Sequence, residues 1–125
     1  MKIVQILVVA GFVVLMVGAA YREGDKMAWD QVTTDVNGDP EVVVSAEAAA
    51  FAVGGTVPVA SEAGLSPAGT GWDMAPLVQQ LSEGTYQFAV RVIDEAGNIS
   101  DWSNKVQLRV DRTPPAAPGG CRIFR

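Results

Sequence analysis

Hydrophobic and polar residues alternate most regularly in the last third of the chain. Tyr86, Phe88, Val90 and Val92 fall at every second position, with Thr85, Gln87, Ala89 and Arg91 between them. A period of two predicts a β-strand with one face toward a core. Val106, Leu108 and Val110 repeat the pattern, with Gln107 and Arg109 on the other face. The stretch "DEAGNISDWSN" between the two runs carries Gly97 and Asn98, which tolerate positive φ and let the chain reverse. An antiparallel pair joined by a long loop is expected.

Earlier segments give shorter signals. "KMAWDQV" predicts a strand with Trp29 facing the core, ended by the turn residues Asn37, Gly38 and Pro40 of "TTDVNGDP". "EVVVSA" is β-branched, and "AEAAAFAV" is too short for a free-standing helix, so one strand is expected to run through both toward Gly54 and Gly55. "TVPVA" returns from that turn, with Pro58 restricting it to an edge. "SEAGLSPAGTG" reads as loop, and "WDMAPLVQQL" as one more strand before the turn "SEGT". Short strands separated by turns, with no long amphipathic helix, point to an all-β antiparallel sandwich.

The first twenty residues follow a different rule. From Ile3 to Ala20, eighteen residues, Gln5 is the only strongly polar side chain. As a helix this stretch would rise about 27 Å, close to the thickness of a bilayer's hydrocarbon core. It lacks the polar face of a helix lying on a small domain. One N-terminal hydrophobic helix is therefore expected over 1–20, as a single-pass transmembrane anchor in the cytoplasmic membrane. The small residues of "VGAA" also fit a signal segment cleaved near Ala20, which would release a secreted domain. Lys2 keeps the short end in the cytoplasm, so the rest of the chain is expected on the periplasmic or extracellular side. The expected division is an anchor or signal at 1–20, a linker at 21–25, a sandwich at 26–112 and a proline-rich tail at 113–125.

Composition narrows the function. The formal charge of the 125 residues is −5, which argues against nucleic acid as a partner. The chain has no histidine and only three lysines, so no nucleophile–base pair is easily assembled. A pair of carboxylates could serve a glycosidase, but a sandwich this small offers no deep cleft for a sugar ring. No enzyme activity and no cofactor are expected. Cys121 is alone and cannot close an internal disulfide; a free thiol and a link between chains remain as alternatives.

Three segments, "MAWDQVTTDVNGDP", "LSEGTYQFAVRVIDEAGNISDWSNKVQLRVD" and "TPPAAP", resemble a fibronectin type III domain of the bacterial or phage kind. The resemblance covers about Lys26 to Pro118 and is strongest from Leu81 onward. It implies an immunoglobulin-like sandwich with Trp29 on the second strand. It also implies a corner bracketed by Leu81 and Tyr86, whose hydroxyl bonds upstream backbone. Asp94, Ala96, Gly97, Asn98, Ser100, Trp102 and Ser103 match the family's loop motif. The family's tyrosine on the third strand is missing, and alanines stand there instead. Only "YREGD" separates the apolar run from Lys26, so the first strand is either absent or very short.

Candidate binding residues are few. Asp35, Asn37, Asp39 and Glu41 alternate as in a calcium loop, but Pro40 takes the place of the required glycine. A turn is the favoured reading. Trp102 is expected to stack on Arg91 or Arg109, a structural contact. Trp72, in "GTGWDM", is a candidate contact for a protein or a glycan, with burial as the alternative. The tail "TPPAAPGGCRIFR" resembles an inter-domain junction followed by the opening of a next strand. Ile123 and Phe124 are expected to be buried against a neighbouring chain or the domain's own open edge. The expected function is a membrane-anchored, exported interaction module with protein or glycan partners. The alternative is a single-span structural subunit of a larger membrane complex or virion.

Overall fold

The computed structural model describes residues 19–125 in full, together with the backbone of Val4–Val9 (β1) and Phe12–Val17 (β2). Residues 1–3, 10, 11 and 18 lie outside the described residues, as do all side chains of residues 1–18. β1 and β2 pair antiparallel, Val4 opposite Val17 and Val9 opposite Phe12. The expected N-terminal helix is therefore not supported. Seven of the twelve residues in these strands are valine or isoleucine, whose branched Cβ favours an extended backbone. No helix among the described residues is long and apolar enough to cross a membrane, which leaves β-barrel crossings unaddressed. The expectations of an anchor or signal at 1–20 fall on residues that are, but for Ala19 and Ala20, outside the fully described set.

Six further strands form the sandwich: Lys26–Trp29 (β3), Val43–Ala52 (β4), Pro58–Leu65 (β5), Gly69–Asp73 (β6), Gly84–Asp94 (β7) and Val106–Val110 (β8). A short helix, Ala75–Val78 (α1), lies between β6 and β7. β3 and β6 make one antiparallel sheet, and the other has the order β5-β4-β7-β8. Pro58 opens β5 on an outer edge of that sheet, a position that tolerates a residue without an N–H. In the place of a first strand there is a single isolated bridge. Ala20 bridges Arg109 in parallel, with the Tyr21 N–H donating to the Arg109 carbonyl at 2.8 Å and the Arg109 N–H to the Ala19 carbonyl at 3.1 Å.

Two expectations between β4 and β7 need correction. "SEAGLSPAGTG" is not a loop throughout: Ser61–Leu65 continues β5, and Gly69 begins β6. "WDMAPLVQQL" is not a strand: Trp72 and Asp73 end β6, and α1 follows with Pro76 in its first turn. Proline is tolerated there because the first N–H groups of a helix have no partner within it. Leu77 and Val78 are consecutive and both buried, which a strand lining one core cannot arrange but a helix turn plugging the end of a sandwich can.

The core is apolar, with no buried polar or charged residue among the described ones. Alternation of β4 sends Ala46, Ala48 and Ala50 into the main cluster, with Phe88, Val90 and Val92 from β7 and Leu108 and Val110 from β8. Met74, Leu77, Val78 and Leu81 pack into the same cluster, with Met27, Trp29 and Trp72 at its margin. The alanines of β4 are thus core residues, and large side chains from the facing segments accompany them. The opposite face of the large sheet carries a second cluster of Ala49, Phe51 and Ala89, covered by Trp102.

Candidate functional site

Two turns share one construction. At the tip of the Thr34–Pro40 bridge, Asp35 Oδ1 accepts the N–H groups of Asn37 at 2.8 Å and Asp39 at 3.0 Å. After β7, Asp94 Oδ1 accepts those of Ala96 at 2.9 Å and Asn98 at 2.8 Å. In each, the glycine (Gly38, φ 83°; Gly97, φ 86°) takes the left-handed conformation and donates its N–H to the aspartate's carbonyl. The Asn98 side chain completes the second turn by donating to Asp94 Oδ2 at 3.0 Å. These bonds, the Asn98 side chain first, hold the Asp94 carboxyl below its ordinary value. Asp35, Asn37 and Asp39 form a backbone-capping turn. Among the described residues no three acidic, cysteine or histidine side chains converge as a metal site would require.

The loop after Asn98 folds back along β7. β8 pairs with β7 only as far as Phe88, so the next N–H groups on that side need other acceptors. Ser100 Oγ accepts the Val92 N–H at 2.9 Å, and Ser103 Oγ accepts the Val90 N–H at 3.0 Å. Both serines also return their own N–H to the same valines' carbonyls. Trp102, held between them, lies with its ring centroid 4.3 Å from the Arg91 guanidinium carbon. It meets Phe51 edge-on at 5.1 Å. Arg91 in turn pairs with Glu47, directly across the β4–β7 register. Lys105 closes the far side, 4.2 Å above the Phe51 ring, while its ammonium donates to the Gly55 carbonyl at 2.7 Å. Arg109 takes no part in the stack; its nearest carboxylate is Asp111.

At the β7 entry the Tyr86 hydroxyl donates to the Ser82 carbonyl at 2.9 Å, four residues upstream, while Leu81 is buried beneath. A strap that sequence reasoning did not single out lies beside this corner. Glu83 Oε1 accepts the N–H groups of Arg112 and Thr113, both at 3.1 Å, and the Thr113 hydroxyl at 2.6 Å. The Arg112 guanidinium donates to the carbonyls of Val78 and Leu81. These contacts, the Thr113 hydroxyl first, hold the Glu83 carboxyl below its ordinary value. The only signal available was the position of Glu83 before the turn glycine Gly84, and a partner 29 residues away cannot be read from that.

Trp29 and Trp72 come together. They line an open cleft of about 290 Å³ with Leu65, Ser66, Ala68, Thr70 and Gly71. The Trp29 indole N–H donates to the Pro67 carbonyl at 3.3 Å. Its ring lies so close over Gly69 that a Cβ there would meet ring carbons at 2.2–2.4 Å. Both tryptophans are half-buried, with one side on the core and the other on the cleft. Of the two burial sites expected for the tail, the domain's own edge is not used. Ile123 and Phe124 are 86% and 81% exposed and do not pack on the domain's own edge. Pro114, Pro115 and Pro118 supply no N–H and keep the segment from folding back as a strand.

A family model for the bacterial Ig-like domain matches residues 19–112. The chain belongs to the bacterial Ig-like domain family. The match begins at Ala19, the residue whose carbonyl receives the Arg109 N–H, and ends at Arg112, which closes the strap to the helix end. The all-β, immunoglobulin-like expectation holds at this level, that of an Ig-like sandwich with two antiparallel sheets. No curated protein and no solved structure matches the chain.

Proposed function

We propose that this Ig-like domain, of the fibronectin type III kind, is a non-catalytic interaction module exported and held at the outer face of the cytoplasmic membrane. The observation that carries the reading is the internal use of polar side chains. Asp35, Asp94, Ser100, Ser103 and Glu83 all accept backbone N–H groups of the chain itself, so these polar side chains stabilise the fold. What stays free is the open edges, the tryptophan cleft and the tail, surfaces suited to protein partners. A glycan resting on Trp72 is the narrower alternative. The apolar run before Ala20, with Lys2 ahead of it, supports attachment to a membrane from its composition.

Protease treatment of intact spheroplasts, followed by mass spectrometry of the protein's N-terminus, tests the placement. Digestion of the domain without lysis, with Met1 retained, is the expected result. A mature terminus at Ala20 or Tyr21 would overturn the anchor and leave the secreted form. Protection until lysis would overturn export altogether.

A further inference from the structure

We propose that the segment Cys121–Arg125 of one copy of this chain adds as a strand to the unpaired edge of β6 in a second copy, placing Ile123 or Phe124 in the Trp29–Trp72 cleft. The proposal rests on the reading of the domain as an interaction module and names its partner. Three observations carry it.

The first is an unfilled edge. β6 pairs with β3 alone, so its other side presents backbone donors and acceptors without a neighbouring strand. The cleft lies alongside, lined by Thr70, Gly71 and Trp72 of β6 itself. A strand added to such an edge gains ladder hydrogen bonds, and pockets beside the edge select alternate side chains.

The second is the segment's pattern. Ile123 and Phe124 are consecutive, so in any register one of them faces the sandwich interior. Both are exposed in the single chain, and covering either one against the tryptophan rings of the cleft removes apolar surface from water. The seven residues from Pro114 to Gly120 reach at most about 23–25 Å when extended. That reach lets the segment extend away from its own domain, where Ile123 and Phe124 are exposed, while Thr113 stays fixed to Glu83.

The third is charge. All fourteen acidic residues and six of the nine basic ones lie within 19–112, a formal −8. The segment 113–125 carries Arg122 and Arg125 and no acid. Opposite charge steers the segment toward a domain and not toward another tail. Asp73 ends the receiving strand, and Glu62 lies on β5, the edge strand of the other sheet. Reciprocal exchange gives a closed dimer, and one-way donation gives a chain of copies.

The test uses the full chain in mild detergent, by sedimentation across a concentration series. Wild type is compared with the Ile123→Asp/Phe124→Asp double variant under the same conditions, so that any association through residues 1–18 is common to both. The expected result is self-association weakened about tenfold or more in the variant, with unchanged circular dichroism. Thr70→Cys supplies the second measurement. Mild oxidation of mixed isotope-labelled and unlabelled chains is expected to join position 70 of one copy to Cys121 of another. Equal association of wild type and double variant, or position 70 joined to Cys121 only within one chain, overturns the proposal. A domain that is monomeric yet digested from outside the spheroplast sinks this inference alone and leaves the exported module standing.

Discussion

Tyr86 and Gly69 show two ways in which one residue stabilises the sandwich. The Tyr86 hydroxyl is fixed by the Ser82 carbonyl, and its ring packs on the core cluster. Tyr86→Phe keeps the ring and removes the bond, so a loss of about 0.5–1.5 kcal/mol is expected in urea unfolding. No change would mean that the corner bond contributes nothing. Gly69 matters for what it lacks. A methyl group there collides with the Trp29 ring, so Gly69→Ala is expected to cost about 1–3 kcal/mol through displacement of the indole. In a Trp29→Ala background the same change should be close to neutral, and additive effects would rule out the contact as the cause. Trp29 was legible as a core residue from its place in "KMAWDQV". The requirement for glycine at 69 was not, because it depends on which residue the register sets opposite Trp29.

At the scale of elements, the long loop behaves as an irregular strand laid along β7. Its serines stand three apart and meet valines two apart, so the loop replaces β8 where β8 ends. The aspartate at its start gives the element a pH response. Asp94 and Glu83 are both held below their ordinary values of 3.8 and 4.5, so the unfolded chain binds protons more readily than the folded one. Their contribution is complete above those values and is lost as pH falls through them toward the depressed native ones. Thermal melts are therefore expected to show stability level from neutral pH down to about 5, then declining below about 4.5. Asp94→Asn, which keeps an acceptor oxygen but no charge, should make the acid-side decline shallower. An unchanged profile would place the acid sensitivity elsewhere.

For the whole molecule, charge and sheet edges matter more than any single contact. A formal −8 on residues 19–112 repels itself, and only two ion pairs are formed among the described residues. Raising salt from about 10 mM to about 500 mM shortens the screening length from about 30 Å to a few ångströms. The expected outcome is a higher Tm, because relief of repulsion across the domain outweighs the weakening of the Arg91–Glu47 pair. A lower Tm in salt would show that local pairs dominate. The bridge that stands in the place of a first strand has a consequence at this scale too. By joining β8 at Ala19–Tyr21, it leaves the small sheet with two strands and both outer edges unpaired.

Sequence alone determined the alternating faces of β7 and β8, the reversal at Gly97 and Asn98, the edge position of Pro58 and the Ig-like class. The first three follow from nearest-neighbour geometry: a period of two, a glycine that permits positive φ, an imide that lacks a donor. The class follows from the resemblance carried by the loop motif and the tyrosine corner. Tertiary structure decided the rest. "APLV" is a helix turn that buries Leu77 and Val78 in one cluster, and an apolar run such as the valine-rich start does not by its composition separate strand from helix. The pairs Glu47–Arg91, Glu83–Thr113 and Trp29–Gly69 arise between residues 44, 30 and 40 positions apart. Contacts at that separation depend on register and closure, which are properties of the assembled sheets and not of any local run of residues.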